Sequence, residues 1–269
     1  FGAGVSINDI LWYTSDNIDY LLISRYFSPT ALGFYTRAFD IMKQPVTRFS
    51  NVISSVTFPA YSRIQEDRER MGRIYLRGVD IVSIISFPVL TGIALASHYV
   101  IVGIYGPNWS GAITVLQILS VAGMLKAVSH LAGAVTHATG NVYSEVRIQG
   151  LYVLSLLLLC LWGVRYGIEG VAVAVVLSSL IFYLSMAQCV LKILAISWSS
   201  FFKAQRTGAI LAIIVGMVDV VCLIVFSRFQ AAVPPVAILF GMVVFSLIGL
   251  LTGILILPKS VKGDSISWI

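Results

Sequence analysis

The residues with the clearest chemical meaning form a polar stripe in an otherwise apolar stretch, residues 31–61. At 100° per residue they fall close to one line on an ideal helix. The stripe consists of Arg37, Gln44, Arg48, Asn51 and Ser55, with Asp40 to one side. Arginine binds phosphate through two parallel hydrogen bonds, so the stripe is suited to an anionic head group. The alternative is an isolated Arg37–Asp40 pair that only holds helices together, which leaves the length of the stripe unexplained.

A second polar face is predicted in the apolar stretch 111–139. Lys126, His130 and His137 recur on one side of a helix, with Gly133 between the histidines. Each histidine alone is typical of a packing residue, whereas their alignment with Lys126 equally fits the wall of a cavity. The histidines are seven residues apart, too far to share one metal ion on a straight helix, and nothing nearby supplies further ligands. We therefore predict no metal site.

Three carboxylates in the same stretches are predicted to serve ion pairing or ion coupling: Asp16, Asp19 and Asp40. Asp16 falls near the middle of the apolar stretch 5–24. It could bind a coupling cation such as Na⁺ or H⁺, pair with an arginine of the next helix, or do both, and pairing is the interpretation we favour. Asp219 is alone in its own apolar stretch and is expected to form a hydrogen bond between helices.

The composition explains why charges in these positions are informative. The chain is 58% hydrophobic and 11% charged, with a mean hydropathy of +0.92, whereas soluble domains are about a quarter charged. We therefore expect a polytopic membrane protein. The net charge of +6 does not indicate nucleic-acid binding, because the basic residues lie at the ends of apolar runs rather than in one stripe. The sequence starts at Phe1 without an initiator methionine, so we expect it to be part of a longer protein.

The elements that must position these residues are predicted to be about eight membrane-spanning helices in an all-α bundle. A hydrocarbon core about 30 Å thick needs roughly 20 residues of helix. Eight apolar segments meet this requirement, and they are residues 5–24, 31–61, 78–104, 111–139, 146–165, 168–193, 207–227 and 233–257. Turn-forming glycine, proline and asparagine residues separate them.

Basic residues set the expected orientation. Eight spans place both ends on one side, where eleven lysines and arginines then lie, against three on the opposite side. This asymmetry predicts that both ends are cytoplasmic. A short solvated helix is predicted in 62–77 from two i,i+4 pairs, Glu66–Arg70 and Glu69–Arg73. Aromatic and basic residues in 194–206 predict an amphipathic helix at the membrane interface.

Three separated stretches of the sequence carry a family resemblance. The first is Asn17-Ile-Asp-Tyr-Leu-Leu-Ile-Ser-Arg-Tyr-Phe27 followed by Ala31-Leu-Gly-Phe-Tyr-Thr-Arg-Ala38, the second runs from Phe58 to Arg77, and the third is Gly106-Pro-Asn-Trp109. In this order they resemble Wzx-type polysaccharide flippases of the multidrug/oligosaccharidyl-lipid/polysaccharide (MOP) exporter superfamily. The similarity covers most of residues 1–195, and its departures, at Ser24 and Ser28-Pro29, touch local geometry only.

The resemblance implies a transporter with two six-helix lobes and two extra C-terminal helices. Residues 1–195 would be the second lobe, and residues 196–269 would hold the interfacial helix, the two extra helices and a short cytoplasmic tail. The first lobe would be missing from this chain. Family members flip undecaprenyl-diphosphate-linked oligosaccharide units from the inner to the outer leaflet of the bacterial inner membrane, by alternating access coupled to an ion gradient. The flipped units serve export of polysaccharide, O-antigen or capsule.

The resemblance also implies roles for individual residues. The family's lumen arginines would correspond to Arg37 and Arg48. Helical periodicity adds Gln44, Lys126 and His130 to the predicted substrate-binding wall. The implied partners are a lipid-linked oligosaccharide, the membrane, the missing lobe, and a polysaccharide polymerase or export machinery. No cofactor, catalytic residue or nucleic acid is expected.

Two other functions remain open. A membrane prenyl- or glycosyl-phosphate transferase could use Asp16-Asn-Ile-Asp19 to bind magnesium diphosphate, but such enzymes usually need a second acidic cluster. The only loop with several carboxylates, which holds Glu66, Asp67 and Glu69, is dominated by arginine. A drug exporter of the same superfamily would favour an acidic cavity for its cationic substrates, whereas the predicted lumen is positive. We therefore expect a transporter rather than an enzyme.

Overall fold

Helices make up nearly all of the residues that the computed structural model describes, which are 2–64, 67–227 and 234–256. The described residues form ten α-helices and no strand, so the predicted all-α class is confirmed. The helices are α1 Gly2–Ser15, α2 Ile18–Tyr26, α3 Pro29–Arg63, α4 Arg68–Leu95, α5 Ser97–Tyr105, α6 Ala112–Ala138, α7 Val142–Gly163, α8 Gly167–Leu194, α9 Trp198–Ser227 and α10 Pro235–Ile256. Single turns of 3₁₀ helix follow α5 and α7.

Two predicted spans are divided in the structure. The first, 5–24, consists of α1 and α2, which are separated by a turn at Asp16 and Asn17. The third, 78–104, is divided at Ala96 into α4 and α5. At the first break the Asn17 amide donates to the Tyr13 carbonyl at 2.7 Å. Asparagine side chains that bond to nearby backbone compete with the helical ladder, which explains why the helix ends there.

The two predicted connecting helices are continuous with the spans that follow them. Helix α4 begins at Arg68, with the Asp67 carboxylate accepting from the Arg70 amide at 2.9 Å. The Glu69–Arg73 ion pair forms within it, while Glu66 lies outside the described residues. In the segment 194–206, residues 198–206 likewise form the first turns of α9 rather than a separate helix. Helices are therefore present in both predicted segments, as the first turns of α4 and α9.

Burial explains why these segments join the spans. Tyr75 of α4 and Phe201 of α9 are both buried, and their rings stack with centroids 6.4 Å apart. Trp198 and Phe202, on the other sides of the same α9 turns, remain exposed. The buried faces of α4 and α9 pack on each other in these first turns, and this packing stabilises the helices beyond their most apolar parts.

Helix pairs pack most extensively between α4 and α9, α3 and α6, α7 and α8, and α6 and α8. One large apolar core joins residues from α2 to the first turns of α9. A smaller second core, centred on Tyr99, Cys222 and Met242, joins α5, α9 and α10. Helix α10 therefore packs beside the main bundle rather than within it. A Cβ atom at Gly208 would lie 2.4 Å from the Ser83 backbone, so glycine is what permits the close α4–α9 contact.

Five helical segments among the described residues are long and apolar enough to cross a membrane, and one of them contains both α7 and α8. The segments are Arg68–Leu95, Ala112–Ala138, Val142–Leu194, Trp198–Phe226 and Pro235–Leu255. Helices α1, α2 and α3 do not meet this criterion of length and composition. Helix α3 carries the polar stripe and Asp40, Asp19 lies in α2, and Asp16 lies in the turn between α1 and α2.

Candidate functional site

The break between α1 and α2 places a carboxylate against the next long helix. Asp16 lies in the turn, and its Oδ2 atom is 2.7 Å from Lys43 Nζ of α3. Both side chains remain partly exposed, at 33% and 40%. The predicted pairing of Asp16 with the next helix is therefore correct, but the partner is a lysine instead of an arginine. Lys43 lies off the polar stripe of α3, and its long side chain still reaches Asp16.

The Asp16–Lys43 pair borders a small cavity of about 70 Å³, hereafter the small cavity. Its lining comes from α1, α3, α6 and the turn after α1: Trp12, Asp16, Phe39, Met42, Lys43, Val46, Thr47, Lys126 and His130. A space of this size holds a few water molecules. Two ammonium groups and one carboxylate border it, so its formal charge with neutral histidine is positive. Such a site favours an anion over a cation.

Lys126 and His130 are held in the small cavity by aromatic rings. Lys126 Nζ lies 5.2 Å from the centre of the Phe39 ring and 5.8 Å from that of Tyr152. These distances are typical of cation–π contacts, which hold a cation without neutralising it. The His130 ring stacks on Trp12 with centroids 5.1 Å apart. The structure thus places both predicted α6 residues at one site.

A larger cavity of about 310 Å³ adjoins the small one and shares Trp12 and His130 with it. Its other lining residues include His137 and Gly133 of the predicted α6 face and Glu145 of α7. His137 Nε2 is 3.3 Å from Glu145 Oε2. The α6 face proposed from periodicity therefore borders two cavities in succession.

Glu145 is a polar residue at this site that the sequence reasoning missed. It is 3% exposed. The Asn8 amide donates to its Oε1 atom at 2.9 Å and the Thr136 hydroxyl donates to Oε2. One turn further along α7, the Gln149 amide donates to Ser15 Oγ at 3.1 Å. The predicted fifth span began at residue 146, whereas α7 begins at Val142, so Glu145 was taken for a loop residue.

The arginines of the stripe do not reach either cavity. Arg37 is exposed, and its guanidinium lies 5.8 Å from the Tyr105 ring and 5.9 Å from the Trp109 ring. Arg48 is also exposed and donates to the Gln44 amide oxygen at 3.3 Å. Arg37, Gln44 and Arg48 thus share an exposed face of α3, and Tyr105 of α5 contacts this face at Arg37. The side chains of Asn51 and Ser55 lie outside the described set.

The remaining carboxylates take three different roles. Asp19 is buried and accepts from the Tyr35 hydroxyl at 2.7 Å and from the Tyr20 amide at 3.0 Å. It therefore ties α2 to α3 and does not border the cavities. Asp40 is half-buried and forms no ion pair with Arg37 among the described residues. Asp219 accepts from the Ser246 hydroxyl at 2.6 Å, which confirms the predicted hydrogen bond between helices.

The carboxylates of the sequence Asp16-Asn-Ile-Asp19 do not form a joint site for magnesium diphosphate. Asp16 pairs with Lys43 and Asp19 is enclosed by Tyr35, so the two carboxylates serve different neighbours. Within the described ranges, no three histidine, cysteine or acidic side chains gather as a metal site needs. What the described helices do assemble is a small cavity bordered by two lysines and one carboxylate, near an exposed face of α3 that bears two arginines.

Comparison with known proteins relates the chain to proteins of polysaccharide biosynthesis. Residues 1–114 match the family described as "Polysaccharide biosynthesis protein". The lipopolysaccharide biosynthesis protein WzxC of Escherichia coli (strain K12) is 30% identical over 142 residues, which are 53% of this chain and 29% of that protein. The teichuronic acid biosynthesis protein TuaB of Bacillus subtilis (strain 168) is 28% identical over 160 residues, 58% of this chain and 33% of that protein.

A solved structure shares the fold. The lipid II flippase MurJ in its inward closed conformation superposes with a TM-score of 0.70 at 15% sequence identity, and the match covers 93% of this chain and 51% of that protein. The chain therefore spans about half the length of MurJ, and its matched regions span about a third of the two curated relatives. With its apolar helices, the chain is a multi-pass membrane protein that shares its fold with about half of MurJ.

Proposed function

We propose that this chain, a relative of the Wzx-type polysaccharide flippases of the MOP superfamily, forms one lobe of a transporter for lipid-linked oligosaccharides. The transporter moves undecaprenyl-diphosphate-linked repeat units from the inner to the outer leaflet of the bacterial cytoplasmic membrane. One observation carries the proposal: α3 presents Arg37, Gln44 and Arg48 on an outer face of the described helices. Three polar side chains on a bare face of a membrane protein need a polar cavity beside them.

A second lobe would complete that cavity. Residues 1–195 would form one lobe and residues 196–269 the additional helices, while a matching lobe elsewhere in the protein would face α3. The match to 51% of a solved flippase supports this arrangement. Rocking of two lobes around a site at mid-membrane is the usual way in which repeat-built transporters alternate access.

The charges suit the diphosphate of the proposed substrate. Arg48 is oriented by the Gln44 amide oxygen, which leaves its terminal nitrogens available for phosphate oxygens. Arg37 is positioned over two aromatic rings, and Lys126 supplies a further cation in the small cavity. The sugars would occupy the cavity between the lobes, while the lipid tail would stay in the bilayer.

The Asp16–Lys43 pair is suited to couple transport to an ion gradient. It sits at the break between α1 and α2, partly exposed, and broken helices commonly form the ion sites of transporters. A proton or Na⁺ arriving at Asp16 would release Lys43, which could then bind substrate phosphate. Coupling would thus move Lys43 from the Asp16 carboxylate to the substrate phosphate, and it would need no cofactor.

The excess of basic residues on one side supports an orientation with both ends of the chain in the cytoplasm. In that orientation the turn Pro107–Trp109, which contacts Arg37, faces the periplasm. A polysaccharide polymerase or other export machinery would receive the flipped unit there. The proposed protein is a transporter, and its own residues make or break no covalent bond.

The test is polysaccharide export in a flippase-null strain that expresses the full-length protein. Wild type is compared with Arg37→Ala/Arg48→Ala, and Arg165→Ala, an exposed arginine after α7, is the matched control. We expect export by wild type and control, and none by the double variant at equal membrane abundance. Full export by the double variant would contradict the proposal.

A further inference from the structure

A groove between α7 and α8 carries two cations and opens to the outside of the bundle. Its volume is about 330 Å³, and residues from both helices line it, among them Arg147 and Leu151 of α7 and Ser185 and Lys192 of α8. We propose that this groove binds one anionic phospholipid of the surrounding bilayer. The headgroup phosphate lies between Arg147 and Lys192, and one acyl chain follows the apolar floor.

The two cations are available for a ligand. Arg147 donates to the Tyr143 carbonyl and to Ser144 Oγ, both at 3.3 Å, which uses two of its five N–H groups. Neither Arg147 nor Lys192 forms a salt bridge with a carboxylate of the described residues. Both side chains are exposed and line the same groove. A phosphodiester therefore meets no competing anion at this site.

The cations lie at the depth of a lipid headgroup. Arg147 is in the second turn of α7, and Lys192 is in the last turn of α8, which returns antiparallel to it. Four residues beyond the end of α8, exposed Trp198 begins α9, with exposed Phe202 one turn later. Exposed aromatic residues next to cations mark the membrane–water interface. The two ends of α7 and α8 that hold the cations therefore face headgroups.

Below the cations the surface is apolar for the depth of one leaflet. Beyond the exposed Gln188 in the groove, the exposed apolar side chains include Leu151, Leu154 and Leu158 on α7 and Leu184, Ile181 and Leu177 on α8. From Arg147 to Leu158 the helix rises about 16 Å. Half of a hydrocarbon core is about 15 Å. The groove with its apolar continuation thus matches one phospholipid in length and polarity.

The charge pattern distinguishes this groove from ordinary lipid-facing surface. Basic pockets between transmembrane helices at the cytoplasmic side are recognised binding sites for anionic headgroups. A neutral lipid would gain the apolar contacts but not the two charge-assisted contacts. We therefore expect selective retention of phosphatidylglycerol over phosphatidylcholine. The proposal concerns the outer surface and is independent of the transported substrate.

The test measures lipids retained by the full-length protein in detergent, by native mass spectrometry, after addition of phosphatidylglycerol or phosphatidylcholine. We expect Arg147→Gln/Lys192→Gln to lower retention of phosphatidylglycerol at least about tenfold, since each basic residue near an anionic headgroup adds about 1 kcal/mol. Retention of phosphatidylcholine should not change. Ser185→Trp, which fills the groove and keeps both cations, should lower retention of both lipids at this site.

The control is Arg77→Gln/Lys203→Gln, which removes two exposed cations outside the groove. Equal loss of phosphatidylglycerol in the control and the groove variant would overturn the proposal, because general surface charge would then explain binding. Unchanged retention in the groove variant would also overturn it. If inorganic phosphate alone displaced phosphatidylglycerol, the groove would be a simple anion site. That result would also contradict the proposal of a bound lipid. Each variant is first checked for the wild-type melting temperature.

Discussion

Asp16 and Asp219 show how the same residue type serves different purposes in two cavities of one membrane protein. Asp16 borders the small cavity, is partly exposed and pairs with Lys43 at 2.7 Å. Asp219 is fully buried in an apolar pocket of about 210 Å³ between α4, α5, α9 and α10, and it accepts from Ser246. Its other oxygen has no hydrogen-bond partner among the described residues. The two carboxylates therefore differ in their neighbours: Asp16 has a partly exposed cation as its partner, and Asp219 has a buried hydroxyl.

The linings of the two cavities extend this contrast. The small cavity contains Lys43, Lys126 and His130, whereas the pocket around Asp219 is lined by apolar side chains apart from Asp219 and Ser246. An anion beside the small cavity would find cationic partners, whereas an anion in the pocket around Asp219 would lose its charge compensation. The two regions therefore differ in the charge of their linings, which is positive in the small cavity and apolar around Asp219.

Substitution of Asp16 should have the largest effect of any change that tests this contrast. We expect Asp16→Ala to abolish export, because it removes the group to which a coupling ion would bind, while Asp219→Ala should retain export. The pair is a third or more exposed and contributes at most about 1 kcal/mol to folding. Membrane abundance should therefore be close to normal. Export and abundance are measured together in the flippase-null strain.

A charge exchange then tells ion pairing from ion coupling. In Asp16→Lys/Lys43→Asp the salt bridge can re-form, but the carboxylate moves to α3. Restored export would show that pairing alone matters and would remove the coupling role proposed for Asp16. Continued failure at normal abundance would support coupling.

Lys126 should give the next largest effect. Lys126→Met keeps much of the side-chain length and the contacts with Phe39 and Tyr152, but it removes the cation. We expect export to fall by about tenfold to hundredfold, the value of one hydrogen bond to a charged group. Thermal stability should stay equal or rise, because a cation enclosed by rings is costly to desolvate. Lys126→Arg is the control that keeps charge, and unchanged export by Lys126→Met would contradict the role proposed here.

Glu145 should affect stability more than export. In Glu145→Gln an NH₂ group, which is a donor, replaces one of the two acceptor oxygens. It would face the donating group of Asn8 or of Thr136. The expected cost in unfolding free energy is about 1–3 kcal/mol. It is measured as a lower melting temperature in detergent, with Glu169→Gln, in the first turn of α8, as control. An unchanged melting temperature would show that the contacts with α1 and α6 contribute little.

Much of this fold could be predicted from the sequence, and the failures have physical causes. Hydropathy and helical period located the long helices, and the resemblance to Wzx-type flippases is confirmed by the comparisons. The break at Asp16 and Asn17 was missed because apolar residues continue on both sides of it. The joining of 194–206 to α9 depends on Tyr75, a distant residue whose contact with Phe201 no local pattern reveals.

The candidate site was predicted less completely than the helices. Helical periodicity placed Lys126 and His130 on one face, because the angle between two residues of one straight helix follows from their spacing in the sequence. It could not relate Arg37 to Lys126, since that requires the packing of α3 on α6. It did not single out Lys43, because angular position ignores the length of a lysine side chain, and Glu145 lay just outside the predicted span 146–165. Relations within a helix were thus predictable, and relations between helices were not.

The smallest effect should come from Asp219→Asn, and it completes the comparison of the two carboxylates. The amide oxygen of the asparagine can still accept from the Ser246 hydroxyl. The amide nitrogen takes the place of the other carboxylate oxygen, which has no described hydrogen-bond partner and borders a pocket. We expect unfolding free energy to change by less than about 1 kcal/mol and export to stay at the wild-type level. Ser246→Ala should be worse, because it leaves a fully buried carboxyl without its donor. Lost export by Asp219→Asn at normal abundance would mean that both carboxylates act in transport, and the distinction between the two cavities would fail.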